Sequence, residues 1–568
     1  MRILGLVCDT HDSGVALLED GTPALVLEEE RFSRVKHTVK FPLLSLEAAL
    51  AEAKLGIGDI DVITTPWDTR ALRRTFAKAV LGHLPASLGL LHPGANTAQN
   101  GGIVFLTLWL KYELRRRFGR ARLPPIVQVG HHDAHAAIFF ASPFEEAAVL
   151  VMDGFGDVSA TSAYVGSGNR LECRWRGSFF DSLGMLYTLV TYHLGFAPFE
   201  EGTVMALAAC GGDTYAEKFK DLVHLEKGGQ FSLNREYLRH DRYGQVRPFT
   251  RKFLDMFGPP RQRGEPITDR HRDLAYALQE TTEQTVLHVV RALAASHPSR
   301  NLCLTGGVAL NCVANARILS DTDYRRVWVP PCASDTGAPL GSALWHHHQT
   351  LGRARAFELT HPYYGTTYDD DEVTRALAGA GLGYRRLGEG ELIAEVARRL
   401  AAGSIVGWFQ GRFEMGPRAL GNRSILADPR NAAIKDQLNK RIKEREAFRP
   451  FAPAVLVERA SEFFEIDQPD PFMTMAPRVR PDKAALIPAA VHVDGTARIQ
   501  TVDRVANPRY YGLIEEFGRL TGVPVVLNTS FNRREPIVAS PADAVACYRQ
   551  TGMDLLAIGN FLVDGRRP

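Results

Sequence analysis

The sequence predicts an α/β protein of two domains, the first of them internally duplicated. Helical and strand-like hydrophobic periods alternate between residues 43 and 129, which is the mark of α/β architecture. Two apolar strands, at 2–7 and 147–152, each end in a polar turn and are each followed by strand, turn and strand. After a connecting stretch at 353–385, a further α/β pattern begins near 386. The expected boundaries are therefore 1–352, 353–385 and 386–568.

In order, 2–7 reads as a buried strand, and 13–18 and 23–29 as strands joined by the turn Glu19-Asp20-Gly21. Asp9, His11 and Asp12 fall on the loop after the first strand, either lining a ligand cleft or forming an Asx-type turn. The mixed-charge run at 28–37 reads most simply as a solvated face. A Gly/His/Pro/Asn-rich loop is expected at 91–102. Next comes His131-His132-Asp133-Ala134-His135, which opens a small-residue helix. On a helix His131 and His135 stand one turn apart on one face, and can grip a cation through neutral imidazoles or serve as a helix start with a core histidine.

The strand at 147–152 ends in Asp153-Gly154-Phe155-Gly156-Asp157. Carboxylates and glycines at the carboxyl end of a buried strand lie where α/β sheets bind ligands, and an Asp-Gly hairpin turn accounts for the same residues. A helix starts near Glu200, residues 213–265 read as an insertion, and a long helix covers 270–296. Strand 302–304 then meets Thr305-Gly306-Gly307, followed by Asn311 and Asn315. That glycine pair offers free amides to an anion, or Thr305 caps the next helix. Asp335 is a candidate N-cap and a candidate metal ligand. Asp369-Asp370-Asp371-Glu372 reads as a solvated helix start.

In the second domain, glycines, Pro417, Arg412, Arg418 and Arg423 between 411 and 424 make a poor helix but a good anion-binding loop. Lys440, Arg441, Lys443, Arg445 and Arg449 add cations or form a solvated basic face, and strand 523–527 ends in Asn528-Thr529-Ser530-Phe531-Asn532, whose two amides and two hydroxyls either hold a nucleotide and a planar carbonyl or form a capped turn.

Composition narrows the function classes. Hydrophobic content of 45%, charged content of 23% and a net charge of +3 describe a globular chain with no field for nucleic acid or membrane, so small-molecule substrates are expected. Seven cysteines without a Cys-x-x-Cys pair fit reduced thiols, and no leader or spanning run stands out, so a cytoplasmic location is expected.

Taken together, segments 28–37, 131–137, 153–157, 205–211, 306–315, 334–341, 411–430, 448–453 and 527–532 resemble the O-carbamoyltransferases of the NodU/CmcH/TobZ type along nearly the whole chain. The resemblance implies an N-terminal Kae1-like domain of the actin/hexokinase superfamily and a C-terminal α/β YrdC-like domain. It implies that the second domain forms carbamoyl adenylate from carbamoyl phosphate and ATP, releasing pyrophosphate. The first then moves the carbamoyl group to a hydroxyl of a natural-product acceptor, releasing AMP.

By the same resemblance His131, His135, Asp153 and Asp335 hold a divalent metal, iron(II) or zinc, while Mg(II) accompanies ATP. Gly306, Gly307, Asn311 and Asn315 lie near the adenylate. Asp9 and His11 lie near the acceptor, with His11 favoured as base and Asp12 second. Arg418, Arg423, Lys443, Arg449, Asn528, Thr529 and Ser530 form the carbamoyl-phosphate and ATP site. Thr203 departs from the pattern, standing where relatives carry lysine. The rival readings are a transfer-RNA carbamoylating enzyme of the same superfamily and a non-catalytic nucleotide-binding regulator; the modest charge argues against the first.

Overall fold

The computed structural model describes residues 1–91 and 105–565. All but the first residue of the expected loop at 91–102 lies outside the described residues. The chain forms two compact units, one of residues 1–29 and 37–358, the other of residues 30–36 and 359–568.

The first unit is a duplication. Strands β1 (Arg2–Val7), β2 (Gly14–Glu19), β3 (Thr22–Glu28), β4 (Val62–Thr65) and β5 (Ile126–Gln128) form a sheet in the order β3-β2-β1-β4-β5. Hairpin pairings β1–β2 and β2–β3 are antiparallel, and β1–β4 and β4–β5 are parallel. Strands β6 (Glu146–Met152), β7 (Thr161–Ser167) and β8 (Arg170–Arg176) begin the second repeat. A small hairpin, β9 (Val223–Leu225) with β10 (Phe231–Leu233), sits in the insertion. Strands β11 (Asn301–Thr305) and β12 (Arg326–Trp328) then complete a second sheet, β12-β11-β6-β7-β8, with the same order and pairing sense as the first.

The buried parallel strands read as unbroken apolar runs because both sheet faces are covered. β1 buries Ile3, Leu4, Leu6 and Val7, and β6 buries Ala147 through Val151, all fully. Turn Asp20-Gly21 takes left-handed backbone (φ 49° and 86°), as a tight hairpin requires. Helix Ala338–Leu344 packs on helix His131–Ala137, and Gly341 makes this possible: a Cβ there would stand 2.0 Å from the Ala134 carbonyl oxygen.

The run at 28–37 is no solvated face. Glu28, Glu29 and Arg31 are buried. Both Glu29 carboxylate oxygens accept from the first amides of helix Leu43–Glu52, Leu44 N–H at 3.1 Å and Ser45 N–H at 2.7 Å. Residues 30–36 belong to the second unit, where Arg31 donates to the Gly416 carbonyl (2.8 Å) and Arg34 to those of Pro536 and Ile537. Charge patterning reads exposure from composition, whereas Glu29, Arg31 and Arg34 find polar partners elsewhere in the chain.

The second unit centres on an eight-stranded mixed sheet. Its strands are β13 (Arg385–Arg386), β14 (Val406–Phe409), β15 (Arg423–Ala427), β16 (Ala452–Leu456), β17 (Gln500–Val502), β18 (Val525–Ser530), β19 (Leu555–Ile558) and β20 (Phe561–Asp564). They run in the order β13-β20-β19-β14-β15-β18-β16-β17. Helices Glu389–Ala401 and Pro508–Thr521 close one face through Leu392, Val396, Tyr510, Ile514 and Phe517. The Asp369–Glu372 run is a capping box opening helix Asp370–Gly379, as expected.

Candidate functional site

In the first unit the two repeats aim equivalent ends at one point. The loops after the first strand of each repeat carry Asp9, His11 and Asp12 on one side and Asp153 on the other. The helices that follow the fifth strand of each begin at His131 and just after Asp335. His131, His135, Asp153 and Asp335 each offer a ligand atom, and all four atoms lie within 4.8 Å of one another. His131 Nε2 is 3.2 Å from Asp153 and 3.4 Å from Asp335, and His135 Nε2 is 3.3 Å from Asp335. Asp335 does not cap its helix with its side chain; the carboxylate faces the imidazoles instead.

Surrounding groups fix these ligands. His131 Nδ1 lies 3.2 Å from the Pro66 carbonyl oxygen, which makes it the donor and leaves the Nε2 lone pair for the cluster. Trp67 stacks on the ring at 4.0 Å. Asp157 accepts from the His131 and Asp68 amides, and Asp153 Oδ1 from the Gly307 amide at 2.8 Å. Burial works to lower the His131 pKa, but Asp335 and Asp153 outweigh it and push it up to about 10; against burial, those imidazoles hold Asp335 well below the carboxylate range. Nitrogen and carboxylate donors that compete this strongly for a proton suit a divalent transition metal.

His11 stands beside the set, its Nε2 3.8 Å from Asp335 and its Nδ1 3.0 Å from Asp12. Asp12 also accepts from His37 at 2.7 Å, and both imidazoles hold it well down against the effect of burial. Asp9 is buried and pushed up to about 6 by desolvation.

The glycine pair is used differently from expectation. Gly306 N–H donates to the Ala333 carbonyl at 2.8 Å and Gly307 N–H to Asp153, so neither amide is free for an anion. Thr305 caps nothing; Asn311 caps helix Cys312–Asp321 through the Ala314 amide and pairs with Gln279. Asn315 donates to the Ala309 carbonyl at 2.8 Å. Gly307 thus anchors a metal-ligand candidate, because the β6 and β11 loop ends adjoin. Thr203 is buried in helix Glu201–Ala208.

The second unit gathers cations. Lys443 Nζ is 3% exposed with its side chain and donates to four oxygens: the Ser530 carbonyl (2.5 Å) and hydroxyl (3.1 Å), and the Asn532 carbonyl (2.8 Å) and side chain (2.7 Å). Burial, then the Arg445 charge, holds its pKa well below the ordinary value. Burial together with Arg449 and Arg498 lowers even Arg445, to about 9. Arg498 is a member of this group that sequence reading missed, since a lone arginine in an irregular segment carries no pattern. Asn528 donates to Gln500 (2.8 Å) and to the Ala419 carbonyl (3.3 Å), next to half-buried Arg418. Thr529 pairs with Ile425 in the β15–β18 ladder.

Arg423 must be removed from the anion site. It is fully buried, donates to the carbonyls of Gln410, Gly411, Asn422 and Ala539, and lies over the Phe409 ring at 3.6 Å. A guanidinium consumed by backbone carbonyls has nothing left for phosphate. It holds the 411–424 loop together with Glu414, whose Oε1 accepts from the amides of Leu420, Asn422 and Arg423.

Residues 2–344 match the family model "Carbamoyltransferase N-terminus" and residues 397–565 match "Carbamoyltransferase C-terminus". The chain belongs to the carbamoyltransferase family. It is similar to nodulation protein NolNO of Sinorhizobium fredii, 38% identical over 98% of this chain and 79% of that protein. Nodulation protein U of Bradyrhizobium diazoefficiens is 29% identical over 94% of this chain and 92% of its own. An uncharacterised protein of a Synechocystis strain is 39% identical over 99% and 96%. As a carbamoyltransferase the chain is an enzyme, which sets aside the regulatory reading. Among its described residues no helix is long and apolar enough to cross a membrane.

Proposed function

We propose that this carbamoyltransferase-family enzyme works in two half-reactions, each in its own unit. In the second unit carbamoyl phosphate, ATP and water give carbamoyl adenylate, pyrophosphate and phosphate. In the first unit the carbamoyl group passes to an acceptor hydroxyl of a natural product and AMP leaves. The observation that carries this reading is the convergence of His131, His135, Asp153 and Asp335 in a chain of this family.

Arg445, Arg449 and Arg498, with Arg418, neutralise the phosphates that repel one another when carbamoyl phosphate meets ATP, Mg(II) accompanying the nucleotide, while Lys443, its donors taken by Ser530 and Asn532, fixes the strand end beside them. Ser530 and Asn528 orient the carbamoyl group by neutral hydrogen bonds. In the first unit, His131, His135, Asp153 and Asp335 hold a divalent cation, iron(II) or zinc by donor type, which supplies polarisation of the carbamoyl carbonyl.

His11 takes the acceptor proton at Nε2, and Asp12, bonded to Nδ1, fixes that tautomer. With burial opposing, Asp335 and Asp12 push the free His11 up to about 10; positive charge among the four ligands offsets Asp335 and brings the imidazole back toward its working range. Asp9 lies near the acceptor. Seven free thiols fit a reducing compartment such as the cytoplasm.

The test is carbamoyl-phosphate-dependent exchange of pyrophosphate into ATP by the pure chain, followed by a mass-shift screen of hydroxyl compounds. Exchange and a carbamoyl mass gain are expected. A pure protein without exchange overturns the first half-reaction.

A further inference from the structure

A second lined space lies against the loop that carries Asp153. It is a cavity of about 40 Å³ beside Gly154 and Phe155, walled by Phe76, Phe179, Phe180 and Met185. Three polar side chains, Ser182, His240 and Gln245, also line it. His240 is 5% exposed, and its Nε2 donates to the Phe180 carbonyl at 2.8 Å. Its Nδ1 is buried without a hydrogen-bond partner among the described residues, as is Gln245 Oε1. Burial, then the charge of Arg235, lowers the His240 pKa to about 4, so the ring is neutral and Nδ1 is an acceptor.

Aromatic walls with two unpaired acceptors select an apolar group that brings its own donor, because a buried acceptor left unmatched is costly. Size narrows the choice. One water needs roughly 10–15 Å³ on this measure, so the space holds a group of about three heavy atoms and no purine. The site adjoins the proposed reaction centre: Ser182, on its wall, donates to the Asp153 carbonyl at 2.9 Å. The Phe155 ring also lies 6.1 Å from Trp67, which stacks on His131.

We infer that this cavity is an acceptor subsite that takes a small apolar substituent bearing one hydroxyl or amine, held next to the hydroxyl that receives the carbamoyl group. The inference rests on the transfer reading above. It assigns the acceptor a partly apolar character around the modified position.

Fluorine NMR of the full chain with 2-fluoroethanol, whose few heavy atoms suit a space of this size, and with its methyl ether, which lacks the donor, tests the site. The alcohol is expected to broaden at least threefold more than the ether. Phe180→Trp, which fills the space while keeping the carbonyl that orients His240, is expected to abolish the difference. His240→Leu is expected to make alcohol and ether alike. Equal broadening by the native protein, or native-like selectivity in both variants, overturns the inference. Pyrophosphate exchange separates the two ideas: both variants are expected to retain it. Exchange without selective alcohol binding defeats the subsite alone, whereas selective binding without exchange defeats the two-step reading alone. An acceptor identified by mass shift that carries no such substituent beside its modified hydroxyl also overturns the subsite.

Discussion

The two units hold opposite kinds of charge imbalance. In the first, Asp153 and Asp335 face His131, His135 and His11, and against burial the carboxylates raise the proton affinity of His131 and His11. In the second, burial and then Arg449 and Arg498 lower Arg445, and the oxygens that accept from Lys443 are neutral. A group held away from its ordinary pKa reports what its surroundings lack. On the two-step reading proposed above, a cation would balance the first unit and anions the second.

The largest expected effect separates the units. Arg449→Ala should lower pyrophosphate exchange and overall transfer together, by about 100-fold or more. His135→Ala should lower transfer as much and leave exchange within about twofold. Loss of exchange in His135→Ala with metal content intact would break the comparison.

Chelation comes next. Dialysis against a strong chelator should abolish transfer and spare exchange measured with Mg(II) restored. A cobalt(II) titration followed by absorbance should show His131→Ala weakening metal affinity by more than about 10-fold.

Asp12→Asn should lower kcat for transfer by roughly 10-fold to 100-fold, without changing exchange, because the His11 tautomer is no longer fixed. A matching fall in exchange would place Asp12 outside the transfer step.

The smallest effect concerns stability. Lys443 has a lowered folded-state pKa, so the unfolded chain binds the extra proton, and stability rises with pH from that lowered value up to the ordinary lysine value near 10.4. Arg445 and Lys36 lower it, and Cys547 and Glu535 oppose them. Lys443→Met should flatten this rise in chemical denaturation series, and added phosphate should stabilise the native protein more than the variant. An unchanged slope would show that Lys443 is not the titrating group.

Much of the architecture is legible in the sequence because its signals are local. The hairpin turn at Asp20-Gly21, the helix over 269–296 and the capping box at Asp369–Glu372 follow from period and turn chemistry over a few residues. His131 and His135 are legible for the same reason, one helical turn apart. The errors fall where a side chain finds its partner far along the chain. Arg423 reads as an anion ligand and binds carbonyls as distant as Ala539; the 28–37 run reads as solvated yet buries Glu28, Glu29 and Arg31; Arg498 carries no signal at all.

The sequence by itself determined the duplicated α/β pattern, the polar turns at strand ends and the one-turn histidine pair, since each depends on neighbours in the chain. Tertiary structure decided which of these meet. Asp335 reaches His135 across 200 residues, and the Gly307 amide is spent on Asp153 instead of an anion. The physical reason is the repeat: two sheets of identical strand order place equivalent loops and helix starts around one point, and no local period encodes that closure.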